Sequence, residues 1–417
     1  MSSFSFPLFA AGGESAAHHR HLVSLEQILD FAAAPLTAAQ QREAETTFNQ
    51  LISHAESLQG TSPYKKATLV HLTYEHSRSK DTFLQQFFLF VDGDNIDDDN
   101  TTQDLELQPS FEQGLMRFHG FTSQTAPASL KREAEGAIDS FAEHLFQHFF
   151  LPMKAAGAKT QQPSRASSTG PALENVIGSS ARLSTLRRDC LIRDHHRCVV
   201  TRVFDGSEAI SRAEKDPMNV KDDEGHPLDS SLDVFDELEV AHIIPHSIMS
   251  AKSDDGTLQL SKSKMTALSI LNMFEPGVVH LIEGPNIDHP FNAISLAPHV
   301  HKNFSLFRIT FEALHGEPSQ LNHTYKIQAP RPFISNMFKL PVTRTLFLSP
   351  NHTIDPPSPK LLALHHAIGT ILELSAAGGY IDRIIHHMEE VAVRSDGSAE
   401  LGRIVTLRMG GWLDGVV

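Results

Sequence analysis

The sequence predicts an α+β protein with helices at both ends and short strands in the middle. Apolar residues recur with a helical period in the first 154 residues and again after Pro359, whereas the middle segment holds only short apolar runs. The length of 417 residues fits two or three domains. We therefore expect a helical N-terminal domain (1–154), a flexible linker (155–180), a central α+β domain (181–331) and a helical C-terminal region (332–417).

Composition narrows the class of protein. The 35 basic and 50 acidic residues give a net charge of −15, so the protein as a whole does not attract polyanions such as nucleic acid. A polyanion would have to bind to a local positive patch. Cys190 and Cys198 are the only cysteines, which excludes a disulfide framework and a Cys-rich zinc module. No stretch has the ~18 apolar residues of a membrane span, and the N-terminus lacks the positive region of a signal peptide. We expect a soluble intracellular protein, nuclear or cytoplasmic, without a membrane partner.

Helix caps and apolar stripes predict the N-terminal helices. Residues 24–27 and 37–40 both have the Ser/Thr-x-x-Gln form, in which the first side chain caps a helix and the fourth reaches back to it. Apolar periodicity continues in three further segments up to residue 151. One apolar stripe, which we assign to the core and not to a platform for stacked bases, contains Phe141, Leu145, Phe149 and Phe150.

The lengths of the apolar runs, and the turn residues that separate them, predict the order of helices and strands in the rest of the chain. A small, polar run predicts the linker, and a helix is expected after it at 183–194. Short apolar runs bounded by turn residues then indicate strands. We expect strands at 197–202, 238–247 and 292–296, a hairpin formed by 305–314 and 323–330, and two helices at 361–374 and 380–393.

Charge is unevenly distributed in the middle segment. Between residues 182 and 202, six arginines accompany two aspartates, a net of +4, whereas residues 205–239 hold twelve acidic and three basic residues, a net of −9. We interpret the acidic run as a solvated insertion loop, with a regulatory or metal-binding role as the alternative. The candidate contacts to nucleic-acid phosphates, if they do not simply face water, are Arg187, Arg188, Arg193 and Arg197.

Three motifs in the middle segment carry the functional prediction: RDHHRCVVTR, LEVAHIIPHS and DHPFNAISLAPHVHKNFSLF. Their order and spacing resemble the HNH nuclease family, whose ββα-metal fold places a histidine on one strand, an asparagine next and a second histidine on the following helix. The resemblance covers about residues 183–314 and is closest to the branch with an A-H-I-x-P motif. The N-terminal helices are also similar to those of fungal proteins that carry this domain. On this match the trio is His242, Asn292 and His301.

The resemblance implies a metal-dependent endonuclease that hydrolyses phosphodiester bonds. His242, just before the strand-ending Pro245, is the candidate general base. Asn292 can hold the strand-to-helix loop together or orient the base. His301 is the candidate ligand of a divalent ion, Mg²⁺, Mn²⁺ or Zn²⁺. DNA is the expected substrate and RNA the alternative, and the N-terminal helical domain offers a surface for a protein partner.

Two positions depart from the family pattern. Ala241 stands where many members have an Asp or His metal ligand, and Ser305 stands where Asp is common. On a strand Glu239 points to the same side as Ala241, so we expect Glu239 to supply a replacement oxygen. The additional candidate ligands are His246, Asp288 and His299.

The spacing of the trio leaves alternatives open. Asn292 and His301 are nine residues apart, whereas fifty residues separate His242 from Asn292, so the loop between the two strands carries a long insertion. Because Ala241 cannot bind a metal, a catalytically silent HNH module that binds nucleic acid or protein is the second hypothesis. Hydrolysis of another phosphoester is the third, since a metal pocket does not itself select a polymer.

Overall fold

A computed structural model describes most of the chain. The predicted cap at 24–27 and residues 159–179 of the predicted linker lie outside the described residues. The described residues are 35–58, 60, 62–93, 110–158, 180–250, 252–254, 257–314, 323–349, 353–390 and 401–413.

The N-terminal part is helical, as predicted. Thr37 and Gln40 form a capping box: the Thr37 hydroxyl accepts from the Gln40 backbone N–H and the Gln40 side chain accepts from the Thr37 N–H. The four side chains of the predicted apolar stripe are all buried, which confirms their assignment to the core. The helices are α1 (Ala38–Ser57), α2 (Lys66–His76), α3 (Lys80–Gly93), α4 (Phe111–Arg117), α5 (Ala128–Leu145) and α6 (Leu151–Ala158), with a π-helical turn at Phe146–Phe150 between α5 and α6.

The segment 194–202, which we call the knuckle, is a turn and not the predicted strand. His195, His196 and Arg202 have φ values of 55°, 51° and 67°, and left-handed residues interrupt an extended strand. The Cys198 sulfur accepts from the Thr201 backbone N–H at 3.4 Å, which closes the turn. The apolar run at 198–200 is therefore buried by a turn and not by a sheet.

The strands form small sheets, in agreement with the predicted α+β class. The predicted hairpin is present, and a strand that was not predicted, at 342–345, extends it to three strands. Within the described residues the strands are β1 (Phe204–Asp205), β2 (Phe235–Asp236), β3 (Glu239–His242), β4 (Lys252–Asp254), β5 (Thr257–Gln259), β6 (Ala293–Leu296), β7 (Thr310–Ala313), β8 (Thr324–Gln328) and β9 (Val342–Thr345).

The remaining helices surround these sheets. Both predicted C-terminal helices are present, and the acidic run contains a helix of its own. Helices in this part of the described chain are α7 (Ser180–Arg193), α8 (Gly206–Lys215), α9 (Lys262–Phe274), α10 (Val278–Ile282), α11 (Pro298–Ser305), α12 (Pro332–Met337), α13 (Pro359–Leu374), α14 (Ala377–Glu390) and α15 (Leu401–Met409).

Strands β3 and β6 pair antiparallel and lie between helices α7 and α11. His242 is opposite Ala293, and Glu239 is opposite Leu296. The two faces of this hairpin pack against different apolar clusters. Ala241 belongs to the main cluster, whereas Val240 belongs to a small one. The small cluster is completed by Ala293 and, from α7, Leu183, Leu186 and Cys190.

Buried side chains from the N-terminal, central and C-terminal parts form one continuous cluster. Phe149 of the π-helical turn stacks on Phe274 of α9 with ring centroids 5.4 Å apart. Phe304 of α11 stacks on His365 of α13 at 4.0 Å. The proposed domain boundaries stay a prediction, but the parts they separate share a core.

Gly157 marks the closest approach between the N-terminal helices and α11. A Cβ at this position would lie 2.0 Å from the Ser305 carbonyl oxygen, so a helix would have to shift. We expect Gly157→Ala to destabilise the protein by ~1–3 kcal/mol, measured from the urea unfolding midpoint. Gly136→Ala on α5 is the control, since nothing lies within 4 Å of its Cβ and it should stabilise slightly. Equal midpoints for Gly157→Ala and the parent would contradict the contact.

Among the described residues, no single helix combines the length and apolar character that crossing a membrane requires. The pair formed by Pro359–Leu374 and Ala377–His387, bent by 88°, meets these criteria of length and composition only when its two helices are counted together.

Candidate functional site

His242 ends strand β3 and is held by a buried carboxylate. Its Nε2 lies 3.0 Å from Asp288 Oδ1, and the Asp288 side chain is fully buried. Its Nδ1 is buried and has no hydrogen-bond partner among the described residues. Because an ionised carboxylate only accepts hydrogen bonds, Asp288 favours the tautomer with hydrogen on Nε2 and leaves the lone pair on Nδ1.

The His242–Asp288 pair lies in a polar cluster on the α7 side of the hairpin. The rings of His242 and His246 have centroids 5.5 Å apart. The pKa of His246 is lowered to about 4, mainly by burial and to a smaller extent by nearby His242, while Asp288 opposes the shift. His246 is therefore neutral near pH 7. Arg182 Nε lies 3.8 Å from Asp288 Oδ2 and places a positive charge behind the carboxylate.

Asn292 fixes the backbone around this pair. Its Oδ1 accepts from the Ile244 N–H at 2.9 Å, and its Nδ2 donates to the carbonyls of Ile244 at 3.0 Å and Ile287 at 2.8 Å. These three bonds join the end of β3 to the turn that precedes β6, within a fully buried site. Asn292 thus holds together the segments that carry His242 and Asp288, without a direct hydrogen bond to the imidazole.

His301 on α11 is held by a second carboxylate. Its Nδ1 lies 2.6 Å from Glu239 Oε2, and its Nε2 is buried with no hydrogen-bond partner among the described residues. The Glu239 side chain is 31% exposed, so one edge of this pair reaches solvent. A carboxylate on one ring nitrogen fixes the tautomer and leaves the other nitrogen available as a metal ligand.

The two carboxylate–imidazole pairs lie on opposite faces of β3. Side chains alternate along a strand, so Glu239 and Ala241 face α11, whereas Val240 and His242 face α7. The fold thus brings His301 to Glu239 and His242 to Asp288. Within the described part of the chain, no contact joins the two imidazoles directly.

His301 Nε2 offers a nitrogen donor for a divalent ion, and Glu239, bonded to Nδ1 on the other side of the ring, orients the imidazole. A catalytic zinc site takes three protein ligands, and no group of three ligand atoms in the described residues includes His301. Mg²⁺ and similar ions need only one or two protein ligands, because water and substrate phosphates complete their shell. A single nitrogen donor therefore fits a hydrated ion better than a closed zinc site.

A separate acidic group lies in the insertion between the knuckle and β3. Ligand atoms of Asp222, Glu224 and His226 lie within 4.8 Å of one another. Asp222 is already bonded to Arg197 at 2.8 Å and to the backbone N–H groups of Glu224 and His226. These bonds account for its burial as part of a turn. The acidic run is folded here, with a helix and buried ion pairs, and is not simply a solvated loop.

The other predicted metal ligands do not gather around His301. Asp288 contacts His242, on the opposite face of the strand. His299 is largely exposed, with Nδ1 3.5 Å from Asp236 Oδ2 and its ring stacked on Phe338. His246 lies beside His242. The alternation of side chains on β3 was the sequence signal that could have separated the surroundings of His242 from those of Glu239.

Most of the predicted phosphate-binding arginines are engaged in the fold. Arg193 is fully buried and pairs with both carboxylate oxygens of Asp194, so it cannot reach a phosphate from this position. Arg187 donates to the Leu238 carbonyl at 2.5 Å, and Arg197 bonds to Asp222. Only Arg188 among the four is well exposed, at 67%, and it pairs with the adjacent Asp189.

The arrangement of β3, β6 and α11 agrees with the comparison with known protein families. Residues 198–312 match the family model of the HNH endonuclease. This part of the chain is an HNH domain, which confirms the resemblance inferred from the motifs. The match includes His242, Asn292 and His301. No curated protein and no solved structure matches the chain, so the likeness to fungal proteins stays a prediction.

Proposed function

We propose that the HNH domain is a metal-dependent endonuclease that hydrolyses phosphodiester bonds of nucleic acid. The observation that carries this proposal is that two buried imidazoles each bond to a carboxylate through one nitrogen, and that the other nitrogen has no partner among the residues described. A buried polar atom without a partner costs ~1–3 kcal/mol, so it marks a place where water, an ion or substrate completes the bonding. Two such atoms in one ββα unit support a hydrolytic role.

His242 is the proposed general base. Its Nδ1 lone pair can accept a proton from the attacking water, and the Asp288 carboxylate on Nε2 stabilises the imidazolium that forms. Asn292 contributes by holding the Ile244 and Ile287 backbones on either side of this pair. The neutral His246 adds no positive charge that would oppose protonation of His242.

His301 and Glu239 are the proposed holders of the cation. The Nε2 of His301 supplies the nitrogen donor, and the partly exposed Glu239 supplies a carboxylate oxygen or orients the ring. A bound divalent ion supplies neutralisation of the charge that develops on phosphate oxygens. We propose DNA as the substrate and RNA as the alternative.

Cleavage of defined substrates tests this function. Purified full-length chain is incubated with supercoiled plasmid, linear duplex DNA and single-stranded RNA in the presence of Mg²⁺, Mn²⁺, Zn²⁺ or Ca²⁺. We expect nicking of the plasmid with at least one ion and its loss when EDTA is added. Absence of cleavage of all three substrates with every ion would refute the endonuclease proposal.

The metal site makes a separate prediction. We expect Glu239→Gln and His301→Ala to weaken binding of Mn²⁺ by about 10–100-fold, because each removes a donor or the partner that orients it. Isothermal titration calorimetry on the full chain measures the affinity. His299→Ala is the matched control, since this exposed histidine lies on the same helix and contacts Asp236 instead. Equal Mn²⁺ affinity in the parent and in both site variants would refute the assignment.

A catalytically silent HNH module is the second candidate function. The placement of the two imidazole pairs on opposite faces of β3 favours it, as does the fully buried Ala241 at a usual ligand position. Such a module would bind nucleic acid without cleaving it and without taking up stoichiometric metal. Nucleic-acid binding together with negative cleavage and calorimetry results would select this function.

A further inference from the structure

Arg202 and Arg344 meet where the knuckle packs against β9. Arg202 Nη2 donates to the Thr345 carbonyl at 2.6 Å, and Arg344 Nε donates to the Val200 carbonyl at 2.9 Å. Each guanidinium is thus fixed by the backbone of the other arginine's segment. Two positive groups are therefore held close to each other in a protein whose net charge is −15.

Neither arginine has a carboxylate partner in the part of the chain that the structure describes. Within the described residues, no acidic oxygen lies within 4.0 Å of either guanidinium, whereas the five other arginines between 182 and 197 each have one. The acidic residues that influence Arg202 at longer range, Asp194 and Glu224, are occupied by Arg193 and His195. Burial and the nearby Arg344 lower the pKa of Arg202. The described part of the chain therefore does not neutralise the positive charge at this position.

Arg202 also carries a donor that the protein leaves unused. Its Nη1 is buried and has no hydrogen-bond partner among the described residues. The guanidinium carbon of Arg202 lies 4.4 Å from the centre of the Phe347 ring. The ring of His195 also stacks on Phe347, with centroids 4.4 Å apart, so Phe347 holds the Arg202 side chain in place. Its backbone keeps a left-handed φ of 67°, which costs energy for an arginine and persists only where the surroundings hold it.

We propose that Arg202 and Arg344 form a binding site for a phosphate group. A planar guanidinium matches the oxygens of phosphate, and an anion there would satisfy Nη1 and neutralise the paired positive charges. The knuckle lies beside β6, since the Val199 N–H donates to the Ser295 carbonyl at 3.0 Å. The phosphate is that of a nucleic-acid chain that runs from the HNH hairpin across the knuckle, an assignment that rests on the proposed function. Free inorganic phosphate has the same chemistry.

Equilibrium binding of DNA, measured in a variant that lacks the proposed general base, tests the phosphate site. The full chain carrying His242→Ala is titrated with a fluorescently labelled DNA duplex between 50 and 200 mM salt. Arg202→Gln and Arg344→Gln in this background should each weaken binding about five- to tenfold at ~0.1 M salt and reduce the slope of log K against log salt by about 1. Arg78→Gln, an exposed arginine that is already paired with Glu275 and lies outside the HNH domain, is the matched control and should change neither. Arg202→Lys keeps the charge and should retain part of the affinity.

Thermal melting distinguishes the two sources of phosphate and detects unfolding. Inorganic phosphate should raise the melting temperature of the parent but not of Arg202→Gln. If phosphate does so while both glutamine variants bind DNA as tightly as the background chain, the site holds free phosphate and not nucleic acid. If neither ligand distinguishes the variants from the background, the site does not exist. The cleavage assay judges the nuclease independently, because loss of this contact should raise KM and leave kcat unchanged.

Discussion

The variant His242→Ala is expected to cleave phosphodiester substrates about 10²–10⁴-fold more slowly than the parent chain at saturating substrate, the usual contribution of a positioned general base. The loss should appear in kcat, because His242 is buried and acts on the attacking water and not on substrate binding. Single-turnover cleavage of a labelled duplex, with the variant's melting temperature measured alongside, checks this. His299→Ala, on the exposed side of α11, should cleave at the parent rate.

Asp288→Asn should reproduce much of this loss. An amide can donate to Nε2 and so favour the tautomer in which Nδ1 carries the hydrogen, which removes the lone pair from the side that accepts the proton. Because both residues serve the same proton transfer, the double variant should be about as slow as His242→Ala alone. Full activity in His242→Ala would exclude this histidine as the base, and independent, multiplicative losses would exclude a shared role.

Asp382→Asn is expected to cause the largest loss of stability, about 3 kcal/mol in the free energy of unfolding. Asp382 accepts from Lys154 at 2.9 Å, Arg308 at 3.0 Å and Arg331 at 3.3 Å. Lys154 is buried to 2% side-chain exposure, and burial lowers its pKa to about 8 although Asp382 opposes the shift. Removing the carboxylate leaves a buried ammonium whose remaining hydrogen bond is to the Gly378 carbonyl.

Urea unfolding of the full chain measures this effect. Glu312→Gln is the matched control, because its pair with Lys326 is 3.6 Å long and close to half exposed, and such pairs contribute ~0–1 kcal/mol. The double variant Lys154→Met/Asp382→Asn should be less destabilised than Asp382→Asn, since the buried ammonium is then absent and the arginine that loses its carboxylate, Arg308, is partly exposed. An unchanged unfolding midpoint for Asp382→Asn would show that Lys154 is satisfied without it.

The Asp382 network also shows how the regions of the chain are held together. Lys154 lies on α6, Arg308 precedes β7, Arg331 lies between β8 and β9, and Asp382 lies on α14. One carboxylate thus ties the N-terminal helices and the C-terminal helices to the central part. Together with the tight packing at Gly157, it explains why the N-terminal, central and C-terminal parts share one core.

Local chemistry made much of the fold predictable from the sequence. The cap at Thr37, the apolar stripe that ends at Phe150 and the hairpin of β7 and β8 depend on neighbours a few residues away, and all three are present. The apolar run of the knuckle predicts a strand, and this prediction is wrong because the backbone is left-handed at His195 and Arg202. Apolar content alone does not specify φ.

The ordered motifs are enough to identify which part of the chain is the HNH domain, because they remain recognisable despite the long insertion between His242 and Asn292. Which groups face each other depends on the tertiary structure. Asp288 became the partner of His242 across 46 residues, and Glu239 and His242 were separated by the alternation of one short strand. Arg193 is buried in the core, whereas Arg202 has no carboxylate partner among the described residues. Such pairings depend on how distant segments pack, and a count of charges along the chain does not contain that information.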